Sequence, residues 1–332
     1  MQDNLVIDVH THNYSENWLN LLREHGAPRY VVKEVPGGRE AIHHDGAAFN
    51  TIFPTFFDFD ARVKSMDINR IDISVVSLAA PSVFWGNETT STQAAIQANN
   101  DFAAAQTAYP DRIRWFATLP WQYPERAKEE LARAIKLGAS GVLTLANIAE
   151  KSLTDPLFAP TWQAIDDAQL PVLIHPTAPP AVAGMDMQKY MLIVPIGFMF
   201  DTTLALARMI YDGFFDKYRK LKIIGAHGGG ALPYLMPRLD RCHEKIDSAR
   251  VTIADRPSSY ADRIFMDSVV YSREAMKMGI DCVGEDNYLF GSDFPHNISD
   301  QAGILARVNE LPADVRRKVR GGNAQRIFDL KL

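Results

Sequence analysis

Across 332 residues the chain is 47% hydrophobic and 23% charged, and 35 Lys and Arg against 40 Asp and Glu leave a net charge of −5. This excludes a disordered polymer and, with no basic run interleaved with aromatics, argues against nucleic acid and anionic membrane as partners and for a small-molecule substrate. Two cysteines, Cys242 and Cys282, cannot build a disulfide framework or a zinc finger, and the N-terminus lacks a basic segment followed by an apolar core, so a reducing cytoplasm is the expected location.

In chain order, apolar and β-branched runs predict strands near 4–9, 71–78, 112–118, 140–145, 171–174, 221–226, 263–269 and 287–291. Helical patterns fall between them, near 60–69, 91–108, 124–137, 157–169, 201–212, 231–247 and 272–280, and three more at 301–309, 312–319 and 323–329 close the chain. Eight strands, each followed by a helix, predict an α/β fold, a (β/α)8 TIM barrel spanning 1–332 as one domain. An open doubly wound sheet is disfavoured, because no G-x-G-x-x-G follows the first strand. One long insertion, 13–58, interrupts the alternation, and within it "RYVVKEV", "EAIHHDG" and "AAFNTIF" read as short strands. A segment of that length at the catalytic end of a barrel is expected to be a lid or pocket wall. Further on, "MLIVPIGFMF" is about half of a membrane span, and Pro195 and Gly197 are expected to break it.

The first strand leads into "DVHTH", where His10 and His12 lie two apart and share a face. Alone, such a pair is most often a polar strand face. In a barrel of this kind, however, the C-terminal ends of strands line the active site. There His175 ends "PVLIH", His227 ends "LKIIGAH" and Asp293 ends "NYLFGSD". All five at strand ends point to a bound metal. Neutral imidazole and carboxylate suit divalent ions, and three His with one Asp leave an open position for water or substrate, as a catalytic site requires. The fourth strand region, "SGVLTLANI", offers neither a Lys nor a bridging carboxylate, so one ion is expected. His227, followed by Gly228, Gly229 and Gly230, suits a general base outside the metal shell. Phe84 and Trp85 are candidates to stack on a planar substrate, and His296 is a candidate substrate contact. His43 and His44 in the insertion, with His25 and His243 in helical patterns, read as solvent-facing.

Together with "PSVFW", "YPDRIRWFATLP", "LIHP", "AHGGGALPYLMPR", "LFGSDFP" and "GGNAQRIF", these residues resemble the amidohydrolase superfamily, in the branch of amino-carboxymuconate-semialdehyde decarboxylase and related non-oxidative decarboxylases. The resemblance implies one divalent ion, zinc or in some members manganese, on His10, His12, His175 and Asp293, with His227 as the catalytic histidine. It also implies a homodimer in which Arg238 reaches in from the neighbouring subunit to an anionic group of the substrate. Two positions depart from the pattern: Asn50 stands where a carboxylate-binding Arg is expected, and Thr177 replaces a Trp. Both are expected at the substrate site, and Asn50 cannot form the bidentate charged clamp of a guanidinium, so the substrate differs. The implied activity is decarboxylation of an aromatic or unsaturated carboxylic acid, with the metal activating substrate or water and His227 and Asp293 moving the proton. The same site would serve a metal-dependent hydrolase or hydratase acting on a lactone, a carbon–carbon bond or a double bond.

Overall fold

The computed structural model describes residues 5–182 and 184–331. Eight parallel strands follow one another in chain order: Ile7–Asn13, Ile73–Leu78, Ile113–Thr118, Gly141–Leu145, Pro171–His175, Lys222–Gly225, Ile264–Asp267 and Tyr288–Leu289. The last strand returns to the first, where Val9 donates its N–H to Phe290 O at 3.0 Å and His12 donates to Phe294 O at 2.7 Å. That closes the sheet into the (β/α)8 barrel. The predicted start at residue 4 lies outside the described residues, and the first strand runs on to Asn13, so both histidines are strand residues.

The strands read as nearly continuous apolar runs because both of their faces are buried, as in other parallel barrels. Alternation then sorts neighbours into two cores. Leu143, Leu173, Ile224 and Leu289 fill the barrel interior, while Val142, Val172, Ile174 and Ile223 pack outward against the helices. His175, two residues after Leu173, therefore follows the interior face. Register slips between Asp8 and Thr11 of the first strand, a local irregularity at the residues that lead into the two histidines.

Helices sit where the patterns put them, and capping explains the sharpest boundary. Asp300 accepts the Gly303 N–H at 2.8 Å and starts Gln301–Asn309 at the expected residue. The insertion contains the three antiparallel strands Tyr30–Val35, Arg39–His44 and Ala47–Thr51, and also a helix, Glu16–His25, capped by Ser15. Its Phe49 ring meets Phe198 at 5.9 Å. Contrary to expectation, Pro195 and Gly197 do not break the apolar run: after a left-handed kink at Tyr190 and Met191, the turn Ile193–Gly197 leads directly into the helix Phe198–Tyr211. A π turn over Ile193–Gly197 absorbs the proline, since Ile196 and Gly197 both donate to Leu192 O at 3.0 Å and no bond is asked of the missing N–H.

The guanidinium of Arg62, on the helix Phe59–Asn69, is buried beneath the end of the first strand. It donates to Thr11 Oγ1 at 2.5 Å, to His12 O, and to Asn13 Oδ1 at 3.4 Å, and it lies over the Phe294 ring. One side chain thereby fixes three consecutive residues. Arg62→Met leaves those acceptors dry, and an unfolding titration in urea is expected to show a loss of about 3 kcal/mol; a change below about 1 kcal/mol would mean that water reaches them.

Candidate metal centre

The five residues singled out at strand ends converge. Ring centroids of His12 and His175 lie 4.6 Å apart, those of His10 and His227 4.9 Å, and those of His10 and His175 5.2 Å. His10 Nε2 stands 3.1 Å from His12 Nε2, and Asp293 Oδ1 is 3.3 Å from the first and 3.2 Å from the second. One atom each of His10, His175, His227 and Asp293 fits within 4.8 Å, as do atoms of His12, Asp293 and His296.

The partners on the far side of each ring decide what these atoms are. His10 Nδ1 is 2.6 Å from Asp267 Oδ2, a carboxylate that only accepts. His175 Nδ1 is 2.8 Å from Pro176 O, which also only accepts. Ser77 donates its single hydroxyl hydrogen to Thr11 O at 3.2 Å and so accepts from His12 Nδ1 at 3.0 Å. All three rings thus carry a hydrogen on Nδ1 and leave Nε2 bare, with those of His10 and His12 against Asp293 and that of His175 free for the same cluster. Such an outer ring of acceptors is how proteins orient metal-binding imidazoles.

The cluster demands positive charge. Burial alone lowers a histidine, and it holds His12 down to about 3 and His175 well below its usual value. At His10 the same burial is outweighed by Asp267 and Asp293, which push it up to about 10. Burial would raise Asp293, yet the surrounding imidazoles of His296, His10, His12 and His227 keep it well below the usual carboxylate range. Buried lone pairs facing a carboxylate oxygen at about 3 Å fit a divalent cation at their centre.

His227 is built differently. Its Nδ1 is buried without a hydrogen-bond partner among the described residues, and its Nε2 lies 3.6 Å from Asp293 Oδ2. The backbone is left-handed from His227 at φ 54° through Gly228, Gly229 and Gly230 at φ 65°. A Cβ on Gly230 would stand 2.5 Å from Met199 O, so the glycine is required by space as well as by φ. Asp267 holds this turn by accepting the N–H of His227 at 3.1 Å and of Gly228 at 3.0 Å.

The remaining candidates divide. His296 is half-buried with its ring 5.0 Å from His12 and 5.1 Å from Phe56, beside the cluster. Phe84 and Trp85 are half-buried, and the Trp85 indole donates to Ser82 O at 2.9 Å. Thr177 is buried, with its N–H on Asp201 and its hydroxyl unpartnered among the described residues. Asn50 donates to the Tyr14 hydroxyl at 2.5 Å, so part of its polarity is committed within the protein. Arg238 is exposed on the helix Leu232–Lys245 and is not among the residues brought to the cluster. His25 is exposed as expected. His43 and His44 are only half-buried, and His243 corrects the surface reading: it is buried, with Nε2 3.2 Å from Ile253 O. Ser77 and Arg62 are supporting residues that sequence reasoning passed over, and Asp267, part of a "DS" pair that belongs to the family resemblance, is one to which it assigns no role. Asp267 ends the seventh strand, so the strand-end rule that found the histidines would have found it too.

A family model described as Amidohydrolase matches residues 7–330. The chain is 29% identical over 334 residues to 2-amino-3-carboxymuconate-6-semialdehyde decarboxylase of Dictyostelium discoideum, covering 98% of this chain and 92% of that protein. Its fold is similar to that of 5-carboxyvanillate decarboxylase of Sphingomonas paucimobilis, with TM-score 0.86, 26% identity and coverage of 99% of this chain and 100% of the other. It is also similar to dihydroxybenzoic acid decarboxylase of Polaromonas sp. JS666, whose crystal structure holds manganese and the inhibitor 2-nitroresorcinol, with TM-score 0.81, 27% identity and coverage of 98% and 97%. The match runs from the first barrel strand into the closing helices and takes in every described strand, and the chain belongs to the amidohydrolase family.

Proposed function

We infer that the chain is a metal-dependent non-oxidative decarboxylase of a small aromatic or unsaturated carboxylic acid. The observation that carries this reading is the contrast among four clustered histidines: three have Nδ1 engaged, two of them with Nε2 against Asp293 Oδ1, while His227 has Nδ1 unpartnered among the described residues and stands against the other oxygen of the same carboxylate. We propose zinc as the ion on His10, His12, His175 and Asp293, with manganese, found in the Polaromonas relative, as the competing outcome. When bound, the ion supplies Lewis-acid polarisation of substrate oxygens beside the scissile bond.

Asp293 has a separate task for each oxygen. Oδ1 faces His10 and His12, and Oδ2 faces His227 Nε2. A proton can pass from His227 to Asp293 and on to the carbon that bears the carboxylate. Once that carbon–hydrogen bond forms, the carbon–carbon bond breaks, its electron pair returns to the ring or chain, and carbon dioxide leaves. His296 beside His12 would orient a polar group of the substrate, and Asn50 and Thr177 would adjoin it. Phe84 and Trp85 offer flat apolar faces to the ring. The insertion supplies a pocket wall, supported by Phe49, which packs in one apolar cluster with Ala80, Ala178, Met187 and Phe198.

A second copy of the chain is the proposed partner. Leu192, Ile196, Phe200 and Leu204 recur every fourth residue along the helical stretch and are all exposed, Leu204 by 56%. Tyr234 and Arg238 lie exposed on the helix Leu232–Lys245, which is joined to that stretch by the Tyr211 hydroxyl on Leu239 O at 2.8 Å. A stripe of that size calls for a cover, and a two-fold dimer would bring Arg238 toward the partner's substrate. A cytoplasmic location is supported by the free thiols of Cys242 and Cys282.

Elemental analysis of protein purified without chelator should find about one equivalent of zinc or manganese per chain, and full activity of a metal-free preparation would defeat the reading. His227→Asn is expected to keep the ion and the fold but slow carbon dioxide release on the order of 10²-fold or more; loss of the ion instead would make His227 a ligand. Arg238→Ala and His227→Asn, each inactive, should regain activity when mixed under conditions of subunit exchange. Failure to complement would confine Arg238 to its own subunit. A screen of aromatic acids that detects hydrolysis but no gas would exclude decarboxylation.

A further inference from the structure

His175 is held by a turn whose polar groups are nearly all accounted for. Its carbonyl accepts from Ala146 N–H at 2.8 Å, its Nδ1 meets Pro176 O at 2.8 Å, and the Ala178 carbonyl accepts from Asn147 Nδ2 at 3.2 Å. The Thr177 N–H goes to Asp201 Oδ2 at 3.0 Å. Pro176 O and Thr177 N–H belong to one rigid peptide plane, so whatever holds the N–H aims the carbonyl. Asp201 sits on the helix Phe198–Tyr211, is only 4% exposed, and takes its other hydrogen bonds from Asn147 Nδ2 at 3.0 and 3.1 Å. Among the described residues no cation is a hydrogen-bond partner of this carboxylate. A carboxylate buried against neutral donors is costly unless those donors must be held.

We propose that Asp201 is a positioning residue for the metal centre: by fixing the Pro176–Thr177 peptide it keeps Pro176 O on His175 Nδ1 and so directs His175 Nε2 at the ion, with Asn147 as its brace. Through Asp201 the apolar helix and the segments that follow the fourth and fifth strands converge on one ligand. The inference rests on the metal reading above, and it predicts a loss of affinity that does not require loss of fold.

The test is a cobalt(II) titration of the metal-free full-length protein against a chromogenic chelator, at a temperature where circular dichroism shows each variant folded. Asp201→Asn keeps the shape but presents an amide where Asn147 already presents one, and it should bind cobalt 10- to 100-fold more weakly with an altered visible absorption band. Adding Asn147→Asp to that variant gives the new amide an acceptor but leaves the Ala178 carbonyl without its donor, so it should recover only part of the affinity. If Asp201→Asn does not fold, Asn147→Ala carries the same test with a smaller loss in the same direction. Affinity within two-fold of the unaltered protein and an unchanged band would reduce Asp201 to a packing role. Failure of the unaltered protein to bind cobalt would instead overturn the metal reading itself.

Discussion

Four hydrogens converge on the two buried oxygens of Asp267: the ring N–H of His10 and the backbone N–H groups of His227, Gly228 and Val269. This carboxylate ties the first, sixth and seventh strands together at the rim where the chemistry lies. Without it His10 loses the acceptor that fixes its tautomer, and the left-handed turn at His227 loses the anchor that offsets its backbone strain. The charge is tolerable in a dry site because every lone pair is used, which is the condition for burying an ion at all. His10 answers burial with the proximity of two acids, and the resulting imbalance is what a divalent cation relieves.

A similar economy governs closure. Gly291 passes so close to the first strand that a Cβ there would stand 2.8 Å from His10 Cβ. Asp8 then accepts from Ser292 N at 3.1 Å and Ser292 Oγ at 2.5 Å, and burial pushes its carboxyl up to about 6 despite these bonds. Below the histidines, therefore, the seam between first and last strands is itself polar and hydrogen-bonded. Asp293, two residues on from Gly291, enters the cluster with a positive φ of 62°, a conformation maintained by the strand ends around it.

The barrel strands are legible in the sequence because each is buried on both faces and bounded by helical pattern, a signal that tertiary packing reinforces. The metal candidates are legible because topology sends strand ends to one rim. Other features depend on information that a linear pattern lacks. Glu16–His25 is an exception, since Ser15, Gly26 and the spacing of the buried Trp18, Leu19 and Leu22 do mark a helix, a signal hidden by the strand pattern that follows it. Pro195 reads as a breaker, but a π turn accommodates it. Arg62 looks like any helical surface cation until its three acceptors on the first strand come into view. Asp201 and Asn147 meet across 54 residues of chain, a pairing that no local spacing encodes.

The seam between first and last strands also sets an order in time. Thr11 and Phe294 pair across 283 residues, with His10 and His12 on one side and Asp293 on the other. During synthesis the two histidines emerge long before the distant carboxylate that they pair with exists. Until then their strand is an open edge, with neither its last neighbour nor a completed ligand set. Contacts of such separation are slow to form, because the loop-closure entropy is met before any bond rewards it. A truncated or stalled chain therefore has a barrel that cannot close, and the ability to capture an ion becomes a late report that the fold is whole.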